Sequence, residues 1–303
     1  MKHLQSILVG VDFSNCSKSA LTQAARISRW GNATLHVVHV TEPLVITEVA
    51  EATHQSPDEL RAEVVARAKE DLRAWLSEIE CREEVELHVE CGPPINEILK
   101  KVRSVAADLL VLGVQGTTGS GEGAGTLSAK CVRKAPTKVL LVSEPHTKPY
   151  RTIVACVDFS EFTPTVVDQA IRLARQEKSQ LHLLHVYYGP WHNLHYRAPT
   201  PQASPDFQTQ YMATLEMRLG DRLKDAEDTQ GLDVECELIE NRSYGRGIVE
   251  YAKQKSADLI VLGTHGSTKL RYILLGCTAE RVLKELPCSI LAIKPPGYGV
   301  KVE

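Results

Sequence analysis

The chain contains itself twice, and no other feature of its sequence constrains the fold as strongly. Ile7–Ser14 reads Ile-Leu-Val-Gly-Val-Asp-Phe-Ser and Ile153–Ser160 reads Ile-Val-Ala-Cys-Val-Asp-Phe-Ser, so Asp12 and Asp158 lie 146 residues apart. Leu35–Val40 and Leu181–Val186 keep that offset, and Ala107–Gly113 and Ala257–Gly263 stretch it to 150. Such a period is too long for a solenoid, so the economical reading is a duplicated domain. The 303 residues then form two domains, each long enough to bury its own core. We expect them at 1–145 and 150–303, joined near Ser143-Glu-Pro-His-Thr-Lys-Pro149, where two prolines separate apolar runs.

Within each copy, short apolar runs alternate with amphipathic stretches. In the first, Ser6–Val11, Thr34–Val40, Val85–Glu90, Leu109–Gly113 and Lys138–Val142 read as strands. Between them fall helical stripes: Ala20, Ala24 and Ile27; Val64, Ala68, Leu72, Trp75 and Ile79; Ile95, Ile98, Leu99 and Val102. The second copy repeats the pattern with Val166, Ala170 and Ala174, then Ile248, Val249 and Ala252. Leu109–Leu112 and Leu259–Leu262 are apolar at every position, as strands covered on both faces are. The expected fold class is α/β: two tandem doubly wound domains, each a five-stranded parallel sheet with helices on both faces.

Composition removes other classes. Lys+Arg 35 against Asp+Glu 38 gives a net charge of −3, which disfavours duplex nucleic acid as a partner. Ile7–Val11 is too brief for a signal-peptide core, and no run approaches the ~20 apolar residues of a membrane span. The eight cysteines include no Cys-x-x-Cys pair and read as reduced thiols, so a cytoplasmic protein is expected.

In an open parallel sheet, ligands bind beyond the carboxyl ends of strands where the strand order reverses. Asp12 and Asp158 follow the first strand of each copy; either acid can cap the next helix, with Ser14 or Ser160 beside it, or contact a ligand. After the fourth strand of the second copy comes Gly263-Thr-His-Gly266, nine residues, then Gly276-Cys277-Thr278 opening an amphipathic segment with Val282, Leu283 and Leu286. Glycines admit close backbone approach, and free amides at a helix start attract anions, so a phosphate chain suits this loop.

These motifs together, Val-Asp-Phe-Ser, Leu-His-Val, Ala-Asp-Leu-Ile-Val-Leu-Gly and Gly-x2-Gly-x9-Gly, resemble the universal stress proteins in a tandem form, over nearly the whole chain. The resemblance is to the ATP-binding branch, with its adenine nucleotide alpha hydrolase-like fold. It implies ATP, alone or with Mg2+, as cofactor. It also implies that Asp158 lies near the adenosine, Val186 contacts adenine, Leu262 and Gly263 line the cleft, and Gly266, Gly276, Cys277 and Thr278 hold phosphates. The equivalent set in the first copy is Asp12, Val40, Leu112, Gly113, Gly116, Gly125, Thr126 and Leu127. An internal pseudo-dimer using last strands such as Ser289–Lys294, a homodimer and an unidentified protein partner are further implications.

Two departures separate the copies. The family's third glycine is usually followed by Ser or Thr, but the second copy has Cys277, whose thiol is a weak donor although its backbone N–H remains. The first copy keeps Thr126, yet its loop is one residue shorter, contains Glu122 and lacks counterparts of Lys269 and Arg271. The second copy is therefore expected to be the better nucleotide site. Cys277 admits a redox role or the plain role of a small residue that fits, and His265 a phosphate contact or bare exposure.

Three His-x-x-His pairs occur, His36/His39, His182/His185 and His192/His195. On a strand, residues three apart face opposite ways, so neither of the first two pairs chelates an ion by itself; no metal ligands are assigned. The pair His192/His195 lies in Tyr187–Pro205 with Trp191, Tyr196 and four prolines, a segment read as a lid or contact loop. The leading function is a stress-response regulator whose nucleotide occupancy changes conformation or partner choice. A non-nucleotide scaffold binding a lipid or metabolite, and a slow ATPase, are the alternatives; no catalytic residue is identified and no Walker lysine pattern is present.

Overall fold

A computed structural model describes residues 4–79, 81, 84–116, 123–193, 204–226, 229–264 and 275–295. The residues group into two compact units that divide between Lys148 and Pro149. In the first unit the strands are β1 (Ser6–Gly10), β2 (Thr34–Thr41), β3 (Val85–Cys91), β4 (Leu109–Gly113) and β5 (Lys138–Val142). They lie in the order β3-β2-β1-β4-β5, every neighbouring pair parallel. Helices α1 (Asn15–Ser28), α2 (Pro43–Thr53), α3 (Pro57–Glu78), α4 (Pro94–Ser104) and α5 (Thr126–Lys134) make the connections.

The second unit repeats this with β6 (Thr152–Cys156), α6 (Thr163–Glu177), β7 (Gln180–Tyr187), α7 (Pro205–Lys224), β8 (Val234–Glu240), α8 (Tyr244–Gln254), β9 (Leu259–Gly263), α9 (Cys277–Glu285) and β10 (Ser289–Ile293). Its order is β8-β7-β6-β9-β10, again parallel throughout. Each unit is thus the expected five-stranded doubly wound sheet. The central strands are buried along their length because both faces carry apolar side chains and both are covered.

Helices α2, α5 and α7 have no stripe in the periodicity reading. Helix α2 presents Ile46 and Ala50 to a small cluster with Leu60, Val64 and Cys91. Among the described residues, no helix is long and apolar enough to cross a membrane.

In both sheets the chain runs outward from the first strand and then jumps to its other side. The reversal falls between β1 and β4, and between β6 and β9. The carboxyl ends of those strands deliver Asp12 with Gly113, and Asp158 with Gly263, to the crevice where such sheets bind ligands.

Candidate functional site

The turn after the first strand is built on the same aspartate and phenylalanine in the two copies. Val-Asp-Phe-Ser forces a reversal in one residue, and the phenylalanine absorbs it: Phe13 has φ 62° and Phe159 φ 55°, the left-handed region that a bulky side chain enters at a cost of ~1–3 kcal/mol. The aspartate closes the turn. The Ser14 N–H donates to Asp12 Oδ1 at 3.1 Å and the Ser14 hydroxyl at 2.6 Å; the Ser160 N–H donates to Asp158 Oδ1 at 3.0 Å and the Thr163 hydroxyl at 2.8 Å. Of the two roles left open, neither aspartate caps the next helix. In the first copy that job falls to Ser14, whose Oγ accepts from the Ser17 N–H at 3.1 Å, while Phe162, the N-cap of α6, offers no side-chain acceptor.

A histidine from the second strand holds each turn from outside. Nδ1 of His39 lies 2.8 Å from the Val11 carbonyl, and Nδ1 of His185 2.7 Å from that of Val157. A carbonyl only accepts, so both rings carry their proton on Nδ1. The rings also pack, tilted, against the strained phenylalanines, with centroids 4.8 Å apart for Phe13 and 4.3 Å for Phe159. Burial lowers the pKa of His185, with the Arg218 guanidinium adding to the effect, which keeps the ring neutral. Arg218 itself lies 4.1 Å over the Phe159 ring.

In the second unit these residues open onto a cleft of about 370 Å³. Asp158, Val186, Leu262, Gly263, Cys277 and Thr278, all expected at a site, line it, and so does Gly276. Gly266, His265, Lys269 and Arg271 lie outside the described residues. The cleft also has a wall that periodicity did not reveal: Tyr187, Tyr188 and Tyr211, with Tyr244 at the rim. Tyr211 comes from α7 and meets Tyr187 at 6.2 Å and Trp191 at 5.6 Å. The described residues of the Tyr187–Pro205 segment include a short 3-10 turn, Pro190–Asn193, pinned by Glu240, which accepts from the Gly189 N–H at 3.1 Å and faces His192 Nε2 at 2.7 Å. His195 and Tyr196 lie outside the described residues.

The cleft's polar end is the start of α9. Gly276 is the N-cap and so offers no side-chain acceptor, while its own N–H donates to the Thr264 carbonyl at 3.0 Å. Among the described residues no side chain caps this turn, whose amides carry the positive end of the helix dipole. A shallow groove of about 470 Å³ shares Tyr244, Cys277 and Thr278 with the cleft and adds three cations, Arg242, Arg281 and Lys284, and one acid, Glu280. Cys277 is exposed at this junction.

The first copy is arranged differently. Gly125 also starts its helix without a side-chain cap, donating to the Val114 carbonyl at 2.8 Å, and Thr126 and Leu127 open α5. Leu112 and Gly113 are buried, and Val40 is half-buried near the end of β2. Gly113 is required by packing: a Cβ there would lie 2.8 Å from the Cys16 carbonyl carbon and 2.9 Å from the Ser17 nitrogen. Gly116 sits against the acid of the turn, since a Cβ on it would lie 2.5 Å from Asp12 Oδ2. Glu122 lies outside the described residues.

The model of the universal stress protein family matches residues 3–143 and 149–294. The chain belongs to that family, in tandem form. Universal stress protein E of Photorhabdus laumondii is 26% identical over the full length of this chain and 99% of its own. A universal stress protein of Methanocaldococcus jannaschii is 30% identical over 148 residues, 48% of this chain and 84% of the relative. The crystal structure of a universal stress protein from Archaeoglobus fulgidus superposes with a TM-score of 0.66 at 17% identity, covering 95% of this chain and 98% of that one, a likeness of fold alone. In this universal stress protein the duplicated Val-Asp-Phe-Ser turn is thus a feature of two family domains.

Proposed function

We propose that the second domain binds ATP or a related adenine nucleotide, and that occupancy biases which conformation or protein partner the molecule adopts. The observation that carries this reading is the glycine-started α9, which lines the same aromatic-walled cleft as Asp158. Free helix amides suit phosphate oxygens. The apolar and aromatic wall around Val186, Tyr188 and Tyr211 suits a purine ring. The described bonds to Asp158 all fall on Oδ1, which leaves Oδ2 to accept from a ribose hydroxyl. Arg242, Arg281 and Lys284 in the adjoining groove suit a polyphosphate that extends past Thr278. The preference for the second domain draws support from the sequence, in which the first copy's loop is one residue shorter and carries Glu122.

Titration calorimetry with ATP tests the reading. Gly276 has φ −59° and ψ 144°, open to any residue, so Gly276→Val leaves the helix start intact while filling the phosphate approach. It is expected to weaken ATP binding by about tenfold to a hundredfold, the worth of one or two hydrogen bonds to a charged group. Cys277→Ser is expected to preserve or tighten binding, because the backbone donor is unchanged and the hydroxyl is the better partner. Unaltered affinity in Gly276→Val would refute the placement.

A further inference from the structure

A second cluster, remote in character from the cleft, lies between β2, β3 and α4 of the first domain. The parallel register pairs His36 with Glu86 and Val38 with His88, so His36, Glu86 and His88 share one face of the sheet. His36 Nδ1 lies 3.3 Å from His88 Nε2 and 3.2 Å from Glu86 Oε2, and the third edge, His88 Nε2 to Glu86 Oε2, is 3.7 Å. A tetrahedral ion with ligands at about 2.0–2.1 Å spaces them by about 3.3 Å. Hydrogen bonding accounts for the trio poorly. With a proton on only one of the two facing nitrogens a pair of acceptors is left facing each other, and with protons on both, two donors meet at 3.3 Å, whereas a single cation serves all three.

We propose that His36 Nδ1, Glu86 Oε2 and His88 Nε2 form a binding site for a divalent transition-metal ion, with a fourth position open to water. Two imidazoles and one carboxylate are the donor set of zinc, and softer thiolates are not among them. His36 is buried and His88 largely so, which fixes two ligands, while Glu86 is half-exposed and leaves an entry path.

The duplicated domain supplies an internal contrast. There His182, Glu235 and Glu237 converge at the corresponding place, but the Lys255 ammonium reaches Glu235 at 3.3 Å and Glu237 at 3.5 Å. The Tyr251 hydroxyl also takes His182 Nδ1 at 2.8 Å. An ammonium already stands where an ion would bind. In the first domain the nearby ammonium, Lys101, pairs with Glu90 at 2.8 Å, outside the trio, and approaches only His88 Nδ1, at 3.4 Å. Metal at Nε2 puts the ring proton on Nδ1, so Lys101 settles wholly on Glu90.

The test is titration of the full chain, stripped by chelator and kept reduced, with Co2+ followed by visible absorption, and with Zn2+ followed by metal analysis after dialysis. One equivalent is expected, with intense ligand-field bands of a four- or five-coordinate ion and no thiolate charge-transfer band. Glu86→Gln and His88→Gln are expected to lose the bound equivalent with unchanged circular dichroism; Glu86 is exposed enough that its variant does not threaten the fold. His182→Gln is expected to bind as the parent does. The proposal is overturned if the parent takes up no stoichiometric ion, if a thiolate band accompanies uptake, or if Glu86→Gln and His88→Gln retain it. Because ATP is absent from the assay, failure here leaves the nucleotide reading standing, and failure there leaves this one.

Discussion

Four aspartates mark equivalent places in the two domains, and they do two different jobs. Asp12 and Asp158 close the turn at the carboxyl end of the sheet. Asp108 and Asp258 work at the opposite end: Asp108 Oδ2 accepts from the N–H groups of Gln5 at 2.8 Å and Ser6 at 3.1 Å, and Asp258 Oδ2 from those of Arg151 at 2.7 Å and Thr152 at 3.0 Å. They tie the start of the first strand to the start of the fourth. Removing one carboxylate strands two backbone donors, so Asp258→Ala is expected to cost about 2 kcal/mol in urea unfolding with ATP affinity unchanged. A loss of binding without a loss of stability would show that this aspartate serves the cleft. Both kinds of aspartate follow the same repeat, so spacing alone did not distinguish anchor from turn. Likewise the paired histidines were visible as pairs, but that His39 and His185 grip a carbonyl while His36 faces β3 depends on strand pairing.

Among elements, the helix starts decide what each end of the sheet can do. Helix α1 is closed by the Ser14 hydroxyl, which satisfies the Ser17 amide. Helices α5 and α9 start on glycine, with no side-chain cap among the described residues. Ser14→Ala is accordingly expected to lower the stability of the first domain by about 1 kcal/mol, read from the urea midpoint, the ordinary worth of an N-cap. No change would mean that the Asp12 turn alone sets the helix start. The strands and most helices were legible because fully buried strands are uniformly apolar and helices such as α4 and α8 have one buried stripe. Helix α2 was not, since its β-branched run suits strand as well as helix and its burial comes from α3 and β3. The aromatic wall was missed for a related reason: Tyr211 lies on α7, 23 residues beyond Tyr188, and only packing brings them to one cleft.

For the molecule as a whole, buried titratable groups set the pH profile. Lys294 is 8% exposed, and burial pushes its ammonium down to about 7 from 10.5. Between those values the unfolded chain binds a proton that the folded chain does not, so this group makes stability rise with pH. Burial pushes the Cys131 thiol up to about 12 from 9, and burial with the Asp258 charge pushes Cys288 up to about 12. Burial pushes the Cys156 thiol up as well. Above pH 9 the unfolded chain releases protons that the folded chain keeps, and three thiols then outweigh one lysine, at up to about 1.4 kcal/mol per pH unit each. Stability is expected to climb from pH 7, peak near pH 9 and then fall, as urea midpoints under reducing conditions would report. A steady decline from pH 7 would mean that Lys294 stays charged in the fold.

Repetition and apolar runs were sufficient, without coordinates, to specify a duplicated parallel α/β architecture and the strand ends that matter, because burial on both faces imposes a composition that any reader of the chain can see. Which carboxylates anchor strands, and where two imidazoles meet a carboxylate, were decided only by folding. Those outcomes depend on ångström distances between groups far apart along the chain, such as His36 and His88, and no local pattern encodes them.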